Sequence, residues 1–382
     1  MVMAVSLAAA GALFAVFFAG LALAPTSRRG RIIGACCSAV FAGAAWALVT
    51  SLGRVRGWVH TEEAQFHHLY ILASVGLPLV GAIILVASFI RPVKDRRARL
   101  GGRLIAGLFL VPAVVGVYAT NIEPNWLRVD RHDVQVRGAP ALRIGVIADL
   151  QTDEFGRFER DAVQAVMDEE PDIVLLAGDF TQVPTEEYPA IVDGAVETLG
   201  ALDAPHGVFA VSGNTDPSVQ TVADLASASG LSSLDDEVVT FEVDGVEVRL
   251  LGVSWPNNRR LEATAAIRSF VAGSSANTLD IVVAHSPDIV FNLSRLGEGP
   301  EATQGIDLIV TGHTHGGQIQ VPFYGPVWNV TELPRSVAAG GLHEVAGVRL
   351  YVSTGVGVQR GESPKVRFGA RPSVGVLEIA SR

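Results

Sequence analysis

Four long apolar runs without Lys, Arg, Asp or Glu lie in the first 120 residues, and they constrain the fold more than any other feature. Three are long enough to cross about 30 Å of hydrocarbon, and the fourth is at the short end of that range. We therefore predict a four-helix transmembrane region over residues 1–120, with a separate domain after it. The runs are Val2–Ala24, Ile32–Gly53, Leu69–Ile90 and Leu104–Thr120.

Basic residues in the loops between the runs predict the orientation of the chain, because cytoplasmic loops carry an excess of Lys and Arg. The first loop has three Arg between residues 28 and 31, and the third has five Lys or Arg between residues 91 and 99. The second loop offsets two Arg with two Glu between residues 54 and 63. We predict a multi-pass protein of the cell membrane whose large domain is extracytoplasmic.

The apolar runs contain no ionisable side chain of the kind that pumps and proton relays use. This composition favours an anchor in contact with membrane lipids, and binding of a lipid substrate is the main alternative. The two cysteines, Cys36 and Cys37, lie in the second run and are expected to pack as small apolar residues. Because the later domain has no cysteine, a thiolate metal site is excluded there.

Charge divides the chain in the same place. The first 120 residues hold 11 Lys/Arg and 3 Asp/Glu, a net charge of +8, and since the whole chain is at −10 the remainder carries −18. So acidic a domain is a poor match for nucleic acid, whose phosphates are bound by basic patches. It should also be repelled by anionic lipid headgroups.

The pattern after the apolar runs changes to that of a globular domain. We predict a polar connector over residues 121–138 and a compact domain over residues 139–382. Short β-branched runs ending in Gly, Asp, Asn or His alternate with helical stretches in the first half of this domain and dominate its second half. This order predicts a mixed α/β domain with a large sheet or two packed sheets.

Polar residues of the kinds that bind metals follow several predicted strands. Asp149 ends the first, Gly178-Asp179 follows the second, and Gly213-Asn214-Thr215 follows the third. The later strands lead to His285 and to the block Gly312-His313-Thr314-His315-Gly316-Gly317. Such groups converge at one edge of an open sheet, and carboxylate, amide and imidazole together suit Mn, Fe or Zn. Each piece alone is also typical of a turn, but two imidazoles two residues apart in a glycine-rich loop point to a metal.

The order of these blocks resembles the calcineurin-like metallophosphoesterase family, most closely its membrane-associated bacterial branch. The resemblance covers about Leu142 to Ile379, and Gly-His-Thr-His is its most specific motif. It implies an α/β (α+β) fold, a four-layer β-sandwich flanked by helices, preceded here by the transmembrane region. It also implies a two-metal hydrolase acting on ester bonds.

Matching the family motifs residue by residue implies two sets of metal ligands that share one carboxylate. Asp149 and His315 would bind the first metal, and Asp179 would bridge both metals. The second metal would be bound by Asn214, His285 and His313. Asp179, Asn214 and His285 would thereby also act in catalysis, which is metal-assisted hydrolysis of a phosphoester.

Two positions depart from the family pattern. Gln151 stands where the family has the His of Asp-x-His, so an amide oxygen would replace an imidazole at the first metal, unless Asp153 substitutes. Thr215 stands where the family has the His of Gly-Asn-His, which helps stabilise the phosphoryl transition state or protonate the leaving group. Thr215 is therefore the fourth candidate catalytic residue, and it can donate a hydrogen bond but cannot act as an imidazolium.

Three interpretations follow from the missing histidine after Asn214. The substrate can have a leaving group that needs no proton, or another residue can supply the proton, with His206 and Asp216 the nearest candidates. In the third, the domain is a membrane-attached metal- or ligand-binding module with little or no turnover. The leading prediction remains a membrane-anchored phosphoesterase acting on a phosphomonoester or phosphodiester, for which a lipid-linked or envelope molecule is one candidate.

Late arginines are the predicted contacts to the substrate phosphate, because Arg forms bidentate bonds with phosphate oxygens. Arg360, Arg367 and Arg371 are the candidates, with Arg360 and Arg367 preferred, and surface solvation or a structural ion pair is the alternative for each. Trp255, which follows a predicted strand, is a candidate for the lining of the cleft, with an ordinary loop position as the alternative.

Overall fold

The computed structural model describes residues 62–90, 96–257, 261–290, 305–361 and 363–382. The chain divides into two compact units. The helical unit comprises residues up to Thr120 together with Arg360–Lys365. The other unit comprises Asn121–Gln359 and Val366–Arg382, and we name it the catalytic unit because it holds the predicted ligands. The first two predicted membrane runs lie outside the described residues.

Three helices form the described part of the helical unit: α1 (Glu62–Ile71), α2 (Leu77–Ile90) and α3 (Arg96–Val117). A π-helical turn, Leu72–Gly76, joins α1 to α2, and a second one, Tyr118–Ile122, follows α3. The third and fourth predicted runs are therefore helical.

Two glycines bring these helices close together. A Cβ atom on Gly81 would lie 2.7 Å from the carbonyl oxygen of Ala106, and one on Gly116 would lie 2.8 Å from the Cβ of Ser74. The Tyr70 hydroxyl donates to the Gly116 carbonyl at 3.1 Å. Small residues at a helix contact are typical of membrane helices, whose backbones approach closely.

Most of the large apolar side chains on these helices point away from the protein. The exposed ones include Leu79, Val86, Leu104, Leu108 and Val114. Two helical stretches in the described residues, Phe66–Val86 and Leu100–Asn125, are long and apolar enough to cross a membrane. Outward-facing apolar side chains along such helices need an apolar partner or solvent.

The catalytic unit is built on two six-stranded mixed sheets. The first has the order β1-β14-β2-β3-β4-β5 and the second has the order β12-β13-β9-β8-β7-β6. The first sheet comprises β1 (Arg128–Val136), β2 (Leu142–Ile147), β3 (Ile173–Ala177), β4 (Val208–Val211), β5 (Ser232–Ser233) and β14 (Ser373–Ser381). The second comprises β6 (Val238–Val243), β7 (Val246–Val253), β8 (Thr278–Ala284), β9 (Leu308–Thr311), β12 (Gly341–Val345) and β13 (Val348–Val352).

Four layers result from the way these sheets pack. One core cluster joins β2 to β4 with β7 to β9, so the sheets lie face to face. The helices α4 (Arg157–Met167), α5 (Tyr188–Leu199) and α6 (Val219–Ala228) cover the outer face of the first sheet. Helix α7 (Leu261–Ala272) and the short α8 (Arg335–Ala338) cover that of the second. The predicted mixed α/β class is confirmed.

The burial of the central strands explains why they could be predicted from the sequence. Strands β2 to β4 pair in parallel, as do β7 to β9. Parallel strands covered on both faces read as continuous apolar runs, such as Ile173–Ala177, in which every residue is buried. Their carboxyl ends lead into the loops that carry the predicted ligands.

The predicted polar connector is wrong over half of its length. Residues 128–136 form β1, which pairs in parallel with β14 at the edge of the first sheet. Its alternating charged residues are typical of an edge strand with one solvent-facing side, and they resemble a linker when only the sequence is read.

A small hairpin interrupts the second half of the unit. Strands β10 (Gln320–Val321) and β11 (Gly325–Pro326) pair in antiparallel fashion, and β10 begins five residues after His315. The hairpin belongs to neither large sheet.

Candidate metal centre

Three predicted ligand atoms converge on the Nε2 atom of His285. The Oδ1 atom of Asn214 lies 3.0 Å from it, the Nδ1 atom of His313 lies 3.2 Å from it, and the Oδ2 atom of Asp179 lies 3.3 Å from it. Neighbouring ligands on a cation with bonds of about 2.1 Å stand roughly 3 to 3.5 Å apart. We call this group the second side of the centre, and its spacing fits a cation.

The first side of the centre consists of Asp149 and His315. Both carboxylate oxygens of Asp149 accept the His313 backbone amide at 3.0 Å. The Nε2 atom of His315 lies 3.5 Å from the Asp149 Oδ1 atom, and this buried nitrogen makes no hydrogen bond. A buried ring nitrogen aimed at a carboxylate, with no other partner, fits a metal ligand.

The two sides form one cluster. One ligand atom each from Asp149, Asp179 and His285 lies within 4.8 Å of the other two, and all three residues are buried. Burial of two carboxylates is costly unless cations balance their charge, so the donor set fits a divalent metal site. Asp179 belongs to this cluster, and its role as a bridge between two metals remains a prediction.

Gln151 contacts the centre through its amide nitrogen. The Nε2 atom donates to Asp179 Oδ2 at 2.7 Å and to the Oε1 atom of Gln359 at 3.3 Å. Gln151 thus lies at the predicted position and orients the shared carboxylate. Ligation of the first metal by its amide oxygen remains a prediction.

Thr215 supports the centre with its backbone. Its amide donates to the Asp179 Oδ1 atom at 2.8 Å, and its hydroxyl donates to the carbonyl of Thr181 at 2.8 Å. The hydroxyl therefore holds a neighbouring loop in this structure. The amide and the Gln151 side chain fix one oxygen each of the Asp179 carboxylate.

Asp216 holds the two loops that carry Asp179 and Asn214. Its carboxylate accepts the amides of Asp179 at 3.0 Å, Phe180 at 2.8 Å and Gly213 at 2.8 Å. Burial, reinforced by the Asp179 charge, raises the pKa of Asp216 to about 7. The sequence singled it out only as a candidate proton donor, and its oxygens are engaged with backbone amides.

The structure contradicts the other candidate proton donor. His206 precedes β4, whereas the candidate ligand Asn214 follows that strand, so the two lie at opposite ends of it. The His206 ring stacks on Phe241 with the ring centres 5.0 Å apart.

Arg367 is not placed to contact a substrate. Its side chain is completely buried, and the guanidinium donates to the carbonyls of His315, Thr354 and Gly355 at 2.7 to 3.2 Å and also to that of Gly357. Its Nη2 atom lies 3.1 Å from the His315 Nδ1 atom. The predicted substrate role is therefore wrong: a buried guanidinium satisfies backbone carbonyls here and supports a ligand.

Arg360 falls in the helical unit, and its predicted contact with substrate remains a prediction.

Trp255 forms one wall of the second side. The centre of its ring system lies 5.6 Å from that of His285 and 5.3 Å from that of His313. Its backbone amide donates to the Ser212 hydroxyl at 3.1 Å, and that hydroxyl donates to Asp235 at 3.0 Å. The position in the cleft suggested by the sequence fits this geometry.

Strained backbone marks the same residues. Asp149, Gln151, Asp179, His313 and His315 all have positive φ angles, between 36° and 72°. Such conformations cost free energy in residues other than Gly and cluster at functional sites.

Glycines make room for the carboxylates. A Cβ atom on Gly213 would lie 2.1 Å from Asp179 Oδ1, and one on Gly312 would lie 2.6 Å from Asp149 Oδ2. Gly213 and Gly312 are therefore required, because the carboxylates approach their backbones too closely for a side chain. Both glycines flank predicted ligands in the sequence.

Electrostatics differ between the carboxylates. Burial, partly offset by His285, raises the pKa of Asp149 to about 7. Burial alone would also raise the pKa of Asp179, but the charge and hydrogen bond of His285 lower it to about 2. Burial would lower the pKa of His285, yet Asp179 raises it to about 9. Burial and the Arg367 charge lower the pKa of His315 well below its usual value.

Comparison with known proteins agrees with this geometry. Residues 142–317 match the family model of the calcineurin-like phosphoesterases, a range that includes every predicted metal ligand. The chain is 25% identical to the uncharacterized metallophosphoesterase YkuE of Bacillus subtilis (strain 168), over 73% of this chain and 94% of the relative. It is 27% identical to the phosphodiesterase YaeI of Escherichia coli (strain K12), over 69% of this chain and 92% of the relative.

A more distant relative has a membrane part. The chain is 26% identical to a Bos taurus transmembrane protein with a metallophosphoesterase domain, over 69% of this chain and 59% of the relative. The family match, the relatives and the converging ligands together lead to one assignment: residues 142–317 form a calcineurin-like phosphoesterase domain, and the protein is a hydrolase.

Proposed function

We propose that this protein is a membrane-anchored phosphoesterase that hydrolyses a phosphomonoester or phosphodiester with two divalent metals. The observation that carries the proposal is the convergence of Asp179, Asn214 and His313 on the His285 Nε2 atom within 3.3 Å. Asp149 and His315, with Asp179, complete a second set of donors beside it. Mixed nitrogen and oxygen donors suit Mn, Fe or Zn.

The protein's own residues position the reacting groups. When bound, two divalent cations lower the pKa of a water and offset charge on the phosphoryl oxygens. Asp179 would be shared between the two cations, with its oxygens held by Gln151 and the Thr215 amide. Arg367 fixes the ring of His315, and Trp255 shields the imidazoles of His285 and His313.

Support for the class of substrate comes from one relative, whose name points to a diester, and from one residue, which bears on the leaving group. The Escherichia coli relative is named a phosphodiesterase. Thr215 occupies the position at which the family resemblance places an imidazole, and its hydroxyl is bonded to the Thr181 carbonyl. Without an imidazolium there, a substrate with a good leaving group is favoured, because such a group departs without a proton.

Membrane anchoring rests on the two apolar helical stretches, Phe66–Val86 and Leu100–Asn125, and on their exposed apolar side chains. The name of the Bos taurus relative supports the same arrangement. The distribution of basic residues in the first 120 residues favours several crossings, with the catalytic unit outside the cytoplasm. A phosphatase-type reporter fused after Arg382 should be active outside the cytoplasm; activity on the cytoplasmic side only would overturn this topology.

The direct test measures hydrolysis by the full chain in detergent. Aryl phosphodiester and aryl phosphomonoester would be supplied with Mn, Fe, Zn or a chelator. We expect metal-dependent turnover in the native chain and in Asp193→Asn, which changes an exposed carboxylate on α5. We expect that turnover to disappear in Asp179→Asn.

The binding-module alternative gives a different result in the same experiment. In that case the chain would bind metal in stoichiometric amount and hydrolyse neither ester in any metal. Equal turnover with and without chelator would contradict both interpretations.

A further inference from the structure

An aromatic hairpin tip projects from the catalytic unit next to the candidate metal centre. The side chains of Val321, Phe323 and Tyr324 are exposed, and Phe323 is as exposed as a residue in an isolated peptide, at 111%. Pro322, between them, is exposed as well. We call residues 320–326 the aromatic hairpin.

The backbone conformation of Phe323 and the exposure of its side chain are both energetically unfavourable. Its φ angle is +68°, a left-handed backbone that bulky side chains rarely adopt. Neither the strain nor the exposure of an aromatic ring helps to fold the domain. A costly conformation at an exposed tip is expected where the side chain has a partner outside the chain.

The hairpin and its flanks carry no charge. Residues 316–331 contain no Lys, Arg, Asp, Glu or His, although the chain from residue 121 onward has a net charge of −18. Uncharged segments with aromatic residues partition into the interfacial region of a bilayer, where Tyr and Trp are enriched. A loop that faces water in so acidic a domain would be expected to contain acidic residues.

The base of the hairpin is braced. The Arg335 guanidinium lies 4.7 Å from the centre of the Tyr324 ring and donates to the carbonyls of Pro326 and Val327. The Val327 amide donates to the Ile319 carbonyl at 2.8 Å. A braced base lets the tip enter an apolar phase without loss of its shape.

The same base is joined to the metal centre. Only Gly316 to Ile319 separate the candidate ligand His315 from the hairpin, and Gln320 Nε2 donates back to the Gly316 carbonyl at 3.0 Å. A Cβ atom on Gly317 would lie 2.5 Å from the Cβ of Pro326. Any surface that binds the hairpin tip is therefore held at a fixed distance from the candidate metal centre.

We propose that the aromatic hairpin inserts into the lipid interface and docks the catalytic unit on the bilayer, so that a headgroup phosphoester reaches the centre. The chain itself points to lipid as the occupant, because two of its helical stretches are long and apolar enough to lie in a bilayer. The tip holds apolar and aromatic side chains and no charge, so docking is driven by apolar contact. It needs no anionic lipid and resists salt. Only the delivery of a phosphoester rests on the proposed function.

Photocrosslinking in the full chain tests the docking. Phe323→p-benzoyl-phenylalanine would be reconstituted in phosphatidylcholine nanodiscs and irradiated, and adducts would be identified by mass spectrometry. The matched control is Val238→p-benzoyl-phenylalanine, an exposed apolar position at the start of β6 on the edge of the second sheet. We expect lipid adducts at position 323 at least about tenfold above those at position 238, unchanged at high salt.

Two results would overturn the docking proposal. Lipid adducts no more frequent at position 323 than at position 238 would exclude insertion. In native membranes, adducts at position 323 with a protein in place of lipid would show that the hairpin binds a protein partner.

A kinetic variant tests the delivery of substrate. Phe323→Ser should lower kcat/KM about tenfold for a fluorogenic phospholipid diester held in the nanodisc, and leave turnover of a soluble aryl diester within about twofold. Equal loss on both substrates would place Phe323 in the fold of the centre and contradict delivery. If the native chain hydrolyses neither substrate, the proposed function fails, while the crosslinking result still decides the docking.

Discussion

The two sides of the metal centre differ in how completely their ligands are assembled. On the second side, three donor atoms lie within 3.3 Å of His285 Nε2. On the first side, Asp149 and His315 lie 3.5 Å apart, and the Gln151 amide nitrogen points to Asp179. Ligands that already lie at coordination spacing bind a cation without reorganisation. We therefore expect the two sides to bind cations with unequal affinity, the second side more tightly than the first.

The largest effect should follow a change at the residue that belongs to both sides. Asp179→Asn keeps the shape of the side chain but removes the charge that offsets two cations. We expect kcat/KM to fall at least about 10³-fold, because several kcal/mol of transition-state stabilisation depend on both metals. Steady-state kinetics with an aryl phosphodiester measures the loss, and Asp193→Asn is the control.

An Asp179→Asn chain that kept more than a tenth of the activity would contradict the shared carboxylate. The two sides would then have to act separately.

Metal titration of single-ligand variants compares the sides directly. His285→Ala should weaken the affinity of the tight class of sites by about 100-fold or more, since His285 lies at the centre of the second side. His315→Ala should leave the tight class intact and remove the weak one. Calorimetric titration with Mn and elemental analysis of the purified full chain measure both classes.

Loss of the tight class of sites in His315→Ala would contradict the predicted order of metal affinities. Metal would then be held mainly by the first side, despite its wider spacing in the structure.

Much of this arrangement could be predicted from the sequence, because its determinants are local. Asp149, Asp179 and His285 each follow a buried parallel strand, and strands of this kind read as apolar runs with a polar end. The carboxyl ends of such strands meet at one sheet edge, so the convergence of their ligands follows from topology.

Other features could not be predicted, because they depend on contacts distant in the sequence. Arg367 is separated by 52 residues from the His315 ring that it supports, and a buried Arg looks like a surface Arg in the sequence. Gln359 meets Gln151 across 208 residues. The sequence of β1 resembles a linker, because its pairing with β14 spans nearly the whole unit and leaves no local signal.

An imidazole at position 151 should reduce the difference in metal affinity between the two sides. Gln151→His places a stronger ligand for Mn, Fe or Zn beside Asp149, and we expect the weak class of sites to tighten about tenfold. The tight class should be unchanged. Calorimetric titration of the variant measures both affinities.

Gln359→Ala is the control for Gln151→His, because it removes the Gln359 contact with Gln151 and adds no ligand. Equal tightening in both variants would show that release of Gln151 matters and that the imidazole does not.

The smallest effect is a dependence of stability on pH, to which Asp149 and Asp179 contribute in different pH ranges. Burial raises the pKa of Asp149 from 3.8 to about 7, so the folded chain binds more protons than the unfolded chain between those values. This contribution is present below about pH 4 and lost as pH rises to 7. The lowered pKa of Asp179 acts between about pH 2 and 4 and is complete above that range. Between pH 4 and 7, the first side therefore responds and Asp179 does not.

The metal-free full chain should consequently unfold at a lower temperature at pH 8 than at pH 5, by roughly 5 °C. The pKa of Asp216, raised by burial to about 7, and the pKa of His285, raised by Asp179 to about 9 against the effect of burial, act in the same direction. The pKa of His315, lowered by burial, acts in the opposite direction between about pH 5 and 6.5 and is outweighed by the other three groups together. Asp149→Asn should reduce the slope by removing one of these contributions. Near-ultraviolet circular dichroism in the presence of chelator measures the transition of the catalytic unit.

Adding Mn should reverse the trend, because a cation binds the charged form of Asp149 and stabilises the folded chain more at pH 8 than at pH 5. If the metal-free chain were instead more stable at pH 8, the buried carboxylates would already be balanced by charges within the protein. The unequal sides would then not reflect a need for cations. The slope in chelator and its reversal by metal thus test, in one titration, whether the first side is built to be completed by a cation.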